Sequence, residues 1–267
     1  MADSLPASSY NPPVTLTTRR LETRFVQVGG LRVQVRLAAG PAGGVPLVLV
    51  HGLGVSSRYM VPLAEILAAT LPVYAPDIPG FGRSEKPRQA LDVHGQAEFL
   101  AAWMPVMGLE RAAFLGHSLG CQVVADLAYH HPEVASRLVL AAPTIDDTGR
   151  SVPRELFRLF RDAWREPFSL VPVVVADYLR AGLGRALRTL RYALADPIEE
   201  KLPRLPMPAL VVRGGRDPVV SERWTEKVCR LLPHGRLAVV PKAAHALQWS
   251  VPRELADLLI PFLDEDR

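Results

Sequence analysis

Six short apolar runs constrain this chain more than any other feature: "VPLVLV" (45–50), "LPVYAP" (71–76), "AAFLG" (112–116), "RLVLAA" (137–142), "ALVVRG" (209–214) and "RLAVVP" (236–241). Each has the length of a strand and too little polarity for a solvated face, so each reads as a strand buried on both sides. Segments with helical apolar spacing lie between them, around residues 58–70, 93–107, 119–131, 221–232 and 250–263. Strand and helix in alternation predict a parallel sheet wrapped by helices, because parallel neighbours need a crossover connection. Ahead of these runs, "TRFVQVGGLRVQVRLAAG" alternates around Gly29 and Gly30 as a two-stranded hairpin, with Val33, Val35 and Leu37 on one face.

One interval breaks the rhythm. Roughly 65 residues separate the run ending at Ala142 from the one starting at Ala209, too long for a bare connection in a compact domain. It holds "RELFRLFRDAW", with Leu156, Phe157, Leu159, Phe160 and Trp164 on one helical stripe and arginines on the other, followed by helical runs broken by Pro167, Pro172 and Pro197. The expected plan is a polar N-terminal arm (1–18), an α/β core (19–142 and 206–267) and a small helical cap (143–205). The stripe reads first as a helix packing on its own domain, with a lipid-contacting face as the alternative.

Composition narrows the partners. At 267 residues and 49% apolar content the chain is long enough for one large core with an insertion. Cys121 and Cys229 are too far apart to suggest a disulfide framework or a zinc site, which points to a reducing compartment. With no basic start followed by an apolar run, and no apolar segment of about 20 residues, the expectation is a soluble, cytoplasmic protein. The formal charge of +4 is local: residues 150–191 carry nine arginines and no lysine against four acids. Without an RNA- or DNA-binding signature, this argues against a nucleic-acid partner.

Ser118, in "AAFLGHSLGCQV", falls where a strand hands over to a helix. Gly116 and Gly120 on either side would let strand and helix approach closely while the serine occupies a strained turn. A serine hydroxyl is a poor nucleophile at neutral pH and needs a base, which in turn needs an orienting acid. Partners should lie, like Ser118, just past the carboxyl end of a strand. His94, His130 and His131 belong to helix starts or ends, His234 precedes a strand, and His117 points elsewhere on the turn. His51 and His245 remain. His245, in a loop leaving the last run, is the better base, whereas His51 reads as a brace for the turn it shares with Gly52 and Gly54. Asp217 follows the run "ALVVRG" and is the expected acid, with Asp146 and Asp147 as fallbacks. Asp77 is expected to fix the loop "DIPGFGRS" instead.

With these pieces assembled, residues 20 to 265 resemble the α/β-hydrolase family, through "HGLG", "DIPGFGRS", "GHSLG", "GGRDPVV" and "AAHALQWSVP". The resemblance implies a mixed, mostly parallel eight-stranded sheet flanked by helices, with a helical cap inserted after the sixth strand. It implies an oxyanion hole from the backbone N–H groups of Leu53 and Leu119, supported by His51, Gly52, Gly116 and Gly120. Serine at 118 sets the chain apart from the dehalogenase and epoxide hydrolase branches, whose nucleophile is aspartate. The chain is also similar to the carbon–carbon bond hydrolases of aromatic degradation, although the tryptophan they often place after the histidine is Ala246 here; Arg188 or Arg191 could imitate their cap arginine. Cys121 reads as a small buried helix residue. The expected activity is cleavage of a carboxylic ester with an apolar acyl part through an acyl-enzyme on Ser118, with no metal and no cofactor. The alternatives are diketone cleavage, a non-catalytic ligand-binding protein on the same fold, and an arginine-rich cap that meets a membrane surface.

Overall fold

The computed structural model describes residues 18–41, 43–146 and 150–265. The expected arm therefore lies, apart from its last residue, outside the described residues, as does Asp147. Two strands open the chain, β1 (Glu22–Val28) and β2 (Leu31–Ala38), paired antiparallel with Val28 opposite Leu31. Their turn is made by Gly29 and Gly30, both at positive φ (55° and 81°), which suits a two-residue hairpin and which a side chain would resist.

The α/β part follows: β3 (Leu47–Val50), α1 (Val61–Leu67), β4 (Val73–Pro76), α2 (Val93–Val106), β5 (Ala112–His117), α3 (Leu119–His130) and β6 (Ala135–Ala141). Four helices then intervene: α4 (Val152–Ala163), α5 (Val171–Ala181), α6 (Leu183–Ala195) and the short α7 (Ile198–Lys201). The chain closes with β7 (Ala209–Gly214), α8 (Glu222–Leu231), β8 (Gly235–Val240), α9 (Leu247–Ser250) and α10 (Pro252–Asp264).

All eight strands form one sheet in the order β1-β2-β4-β3-β5-β6-β7-β8, antiparallel at β1-β2 and β2-β4 and parallel from β4 onward. The central strands are as apolar as their sequences demand: every residue of β3 and β5 is buried. β8 departs from the expectation of a strand buried on both faces. Only Val240 of β8 is buried, because among the described residues no strand lies beyond β8 and one side of its backbone has no partner. Because β3, β5, β7 and β8 run parallel, their carboxyl ends lie on one rim of the sheet, and the loops after them carry the candidate site. Helices α4 and α5 stand over that rim. Among the described residues no helix is long and apolar enough to cross a membrane.

Candidate active site

Ser118 sits between the last residue of β5 and the first of α3, with φ 55° and ψ −120°. That conformation is costly for a residue with a side chain, of order 1–3 kcal/mol, and persists only where the surroundings enforce it. Here they do: Ser118 N donates to Ala141 O of β6 (2.9 Å), and Cys121 N donates to Ser118 O (2.9 Å). The flanking glycines are sterically required. A Cβ on Gly116 would lie 2.3 Å from Gly120 O, and one on Gly120 would lie 2.4 Å from Val50 O. Together they press α3 against β5 and β3 and leave the serine at the tip of the bend.

His245 lies in the loop between β8 and α9, and Asp217 three residues past β7. Nδ1–H of His245 donates to Asp217 Oδ2 (2.8 Å), while Oδ1 of Asp217 accepts from the backbone N–H groups of Val219 (2.7 Å) and Val220 (3.1 Å). Both carboxylate oxygens are thus engaged, and the neutral imidazole is held in the tautomer whose Nε2 carries no proton. That Nε2 is buried and has no hydrogen-bond partner among the described residues. Ser118 and His245 line the same cavity of about 470 Å³, together with Gly52 and Leu53. A smaller cavity of about 30 Å³ is lined by Ser118, Leu53 and Leu119 at once, so the two residues expected to supply oxyanion donors converge on the serine. Leu119 is the first residue of α3, where a backbone N–H has no acceptor within its own helix.

The remaining sequence candidates have other partners. His51 Nε2 accepts from Ile78 N (3.1 Å) and its Nδ1–H donates to Gly52 O (2.9 Å), a bridge between the loops after β3 and β4. Asp77 accepts from the backbone N–H groups of Ser57 and Arg83 (both 2.8 Å) and from Gln34 Nε2 (3.1 Å). Asp146 accepts from Ser221 Oγ (2.8 Å) and Arg158 Nη2 (3.3 Å), away from His245. Arg188 and Arg191 are exposed and neither lines the cavity. Cys121 donates its thiol to Gly116 O (3.1 Å), and burial holds its pKa well above the usual range, so it is an inert thiol. One cluster has metal-like geometry: ligand atoms of His94, Asp126 and His130 lie within 4.8 Å of one another. The ammonium of Lys201 already sits 2.5 Å from Asp126 Oδ1, and the cluster is not part of the cavity.

Two acids that the motifs did not reveal stand beside the imidazole, and so does His117, which corrects the expectation that it points elsewhere on the turn: its ring centroid lies 4.9 Å from that of His245 and it lines the cavity. His117 donates Nε2–H to the backbone carbonyl of His245 (2.9 Å); burial, then the nearby His245, push its pKa down to about 3, so it stays neutral. Asp162, on α4, accepts from His245 N (3.3 Å), and Glu166, just beyond α4, accepts from Ala246 N through Oε1 (2.7 Å). Both acids line the cavity, and Glu166 Oε2 is buried without a partner among the described residues. Burial, with Asp162 beside it, raises Glu166 to about 7. Burial works to lower the pKa of His245, but the charge and hydrogen bond of Asp217, joined by Asp162 and Glu166, push it up to about 9. Burial opposes ionisation of Asp217 as well, yet its bonds to His245, Val219 and Val220 hold it below the usual carboxylate range.

This geometry can be set beside known proteins. A curated relative, the dihydrolipoyllysine-residue acetyltransferase component of an acetoin cleaving system from Pseudomonas putida, is 28% identical over 260 residues, which is 89% of this chain and 68% of that protein. A Mycobacterium tuberculosis relative is 36% identical over 120 residues, 45% of this chain, and the match takes in 34% of its length. Among solved structures, a bacterial membrane phospholipase A superposes with a TM-score of 0.76 at 25% identity, covering 92% of this chain and 86% of that one. A thermophilic esterase from Thermogutta terrifontis superposes with a TM-score of 0.78 at 19% identity, covering 91% and 98%, a likeness of fold. The model of the alpha/beta hydrolase family matches residues 47–258, from the start of β3 into α10, and so spans every strand and loop that carries the site. This chain belongs to the alpha/beta hydrolase family.

Proposed function

We propose that the chain is a serine hydrolase of carboxylic esters that works through an acyl-enzyme on Ser118. The observation that carries this reading is the buried Asp217–His245 pair: His245 Nε2 has no hydrogen-bond partner among the described residues, and His245 and Ser118 line one cavity. In the proposed cycle His245 Nε2 takes the hydroxyl proton as Ser118 Oγ attacks the ester carbonyl. The resulting oxyanion lies against the N–H groups of Leu53 and Leu119. Donors of this kind contribute about 3 kcal/mol each to the transition state. His245 then gives the proton to the departing alcohol, and the released alcohol makes way for a water that His245 activates against the acyl carbonyl. The substrate class follows from the walls: Leu159 of α4, Leu170 just ahead of α5, and Val171 and Val174 of α5 line the cavity, which suits an apolar acyl group. In this reading the helices between β6 and β7 serve as a cap.

Replacing Ser118 by Ala is expected to lower kcat on p-nitrophenyl butyrate by about a thousandfold or more and to abolish labelling by a fluorophosphonate probe. Near-normal turnover by the Ser118→Ala variant rejects Ser118 as nucleophile. A wild-type protein that neither reacts with the probe nor turns over esters, yet is stabilised by an apolar ligand, is a binding protein on this fold. The diketone-cleaving alternative gains no support from the arginines, since none lines the cavity.

A further inference from the structure

The most exposed large apolar side chains among the described residues are gathered in one segment. Phe157, Phe160, Trp164, Phe168, Leu179 and Leu183 are each at least 60% exposed, whereas outside residues 156–183 no large apolar side chain among the described residues exceeds 48%. On α4 and its C-terminal cap, Leu156, Phe157, Phe160 and Trp164 form one stripe; on α5, Val171, Val175 and Leu179 recur every fourth residue and form another. The two stripes meet at the cavity, because Leu156, Phe160, Val171 and Val175 are both exposed and part of its lining. The apolar patch therefore surrounds the mouth through which a substrate would enter.

The exposed charge of residues 156–191 has one sign. Arg161, Arg180, Arg188 and Arg191 are exposed and make no ion pair among the described residues. The acids of the same segment are withdrawn from the surface: Glu155, Asp162 and Asp177 are buried, and Glu166 turns into the cavity. A second copy packed through the same segment would bring arginines against arginines with no exposed carboxylate of that segment to meet them. A bilayer with anionic headgroups offers what this face lacks, hydrocarbon for the aromatic side chains and phosphates for the guanidinium groups.

We propose that the face formed by α4, α5 and the start of α6 docks on an anionic lipid bilayer, with the cavity mouth turned toward the membrane, so that a lipid-borne ester passes to Ser118 without crossing water. The docking stands on the surface alone; the route of the ester rests on the hydrolase reading above.

The test uses the full chain and its Ser118→Ala variant with vesicles of phosphatidylcholine alone or mixed with phosphatidylglycerol at 70:30, sedimented in low and high salt. Tighter binding to the mixed vesicles by at least about tenfold is expected, equal for both proteins and weakened by salt. A Trp164→Ser/Phe168→Ser double variant, which spares the cavity lining, should lose at least about tenfold in vesicle binding while keeping its melting temperature and its turnover of a short soluble ester. Arg161→Gln/Arg188→Gln should lose the preference for the anionic vesicles. Binding no stronger than to neutral vesicles, or unchanged in the Trp164/Phe168 variant, overturns the proposal. So does a concentration-dependent dimer that the same variant dissolves, which would assign the face to a second copy. Turnover of soluble esters without vesicle binding defeats the docking alone, and vesicle binding without turnover of any ester defeats the hydrolase reading alone.

Discussion

His245 stands among more negative charge than an orienting acid alone supplies. Asp217 is joined by Asp162 and Glu166, and their combined effect outweighs the cost of burying a cation and pushes the imidazole up to about 9. A base must be neutral to accept the serine proton, so kcat/KM for an uncharged ester should climb with pH through neutrality, reach half its maximum near pH 9 and level off above it. Replacing Glu166 by Gln keeps an oxygen to accept from Ala246 N but removes one charge. The rising limb should therefore move to lower pH. The gain should be largest between about pH 7 and 9, since below about 7 Glu166 itself takes up a proton and the wild type loses the same charge. Full pH profiles of the two proteins check this, and superimposable limbs would show that Glu166 does not act on His245. Of the residues involved, Ser118, Asp217 and His245 were readable because each follows a strand with a distinctive neighbour pattern. Asp162 and Glu166 were not: they come from the interval without motifs, and only the folding of α4 back over the rim brings them to the loop of His245.

At the scale of elements, the contact of α3 with β5 and β3 holds the serine in its strained backbone, and that contact depends on the absence of two side chains. A Gly120→Ala variant would put a methyl group 2.4 Å from Val50 O, backbone that cannot move without disturbing the sheet. The expected cost is about 1–3 kcal/mol, with a melting temperature several degrees lower and kcat reduced as well, because the shift displaces Ser118 and Leu119 together. Thermal denaturation and kinetics on one preparation check both; an unchanged melting temperature would mean that strand and helix are less tightly apposed. The buried strands and the elbow were legible for the same physical reason, namely that a segment packed on both faces admits few polar residues and a close crossing admits only glycine. β8 was misread because an edge strand and an inner strand both show an apolar run. What differs is the neighbour in the sheet, which the run does not encode.

In the whole molecule the work is divided between two parts of the chain. The sheet rim holds the proposed reacting groups, and the helices between β6 and β7 form much of the cavity wall. They are tied down by buried polar contacts, Ser56 Oγ donating to Asp177 Oδ2 (2.6 Å) and Gln122 Nε2 to Ala193 O (2.9 Å), so the wall is fixed relative to the rim. If an acyl chain lies along this wall, each methylene it buries contributes about 0.8 kcal/mol, close to fourfold in kcat/KM, until the cavity is full. A chain-length series of p-nitrophenyl esters should therefore rise steeply and then level off. Val174 of α5 lines the cavity and is not one of the proposed reacting groups. A Val174→Phe variant should shorten the chain at which the series levels off, with turnover of the shortest ester and fluorophosphonate labelling of Ser118 both preserved. An unshifted plateau would mean that the acyl group does not run along α5, and the wall that sets chain length would have to be sought on the α4 side, at Leu159 and Ala163.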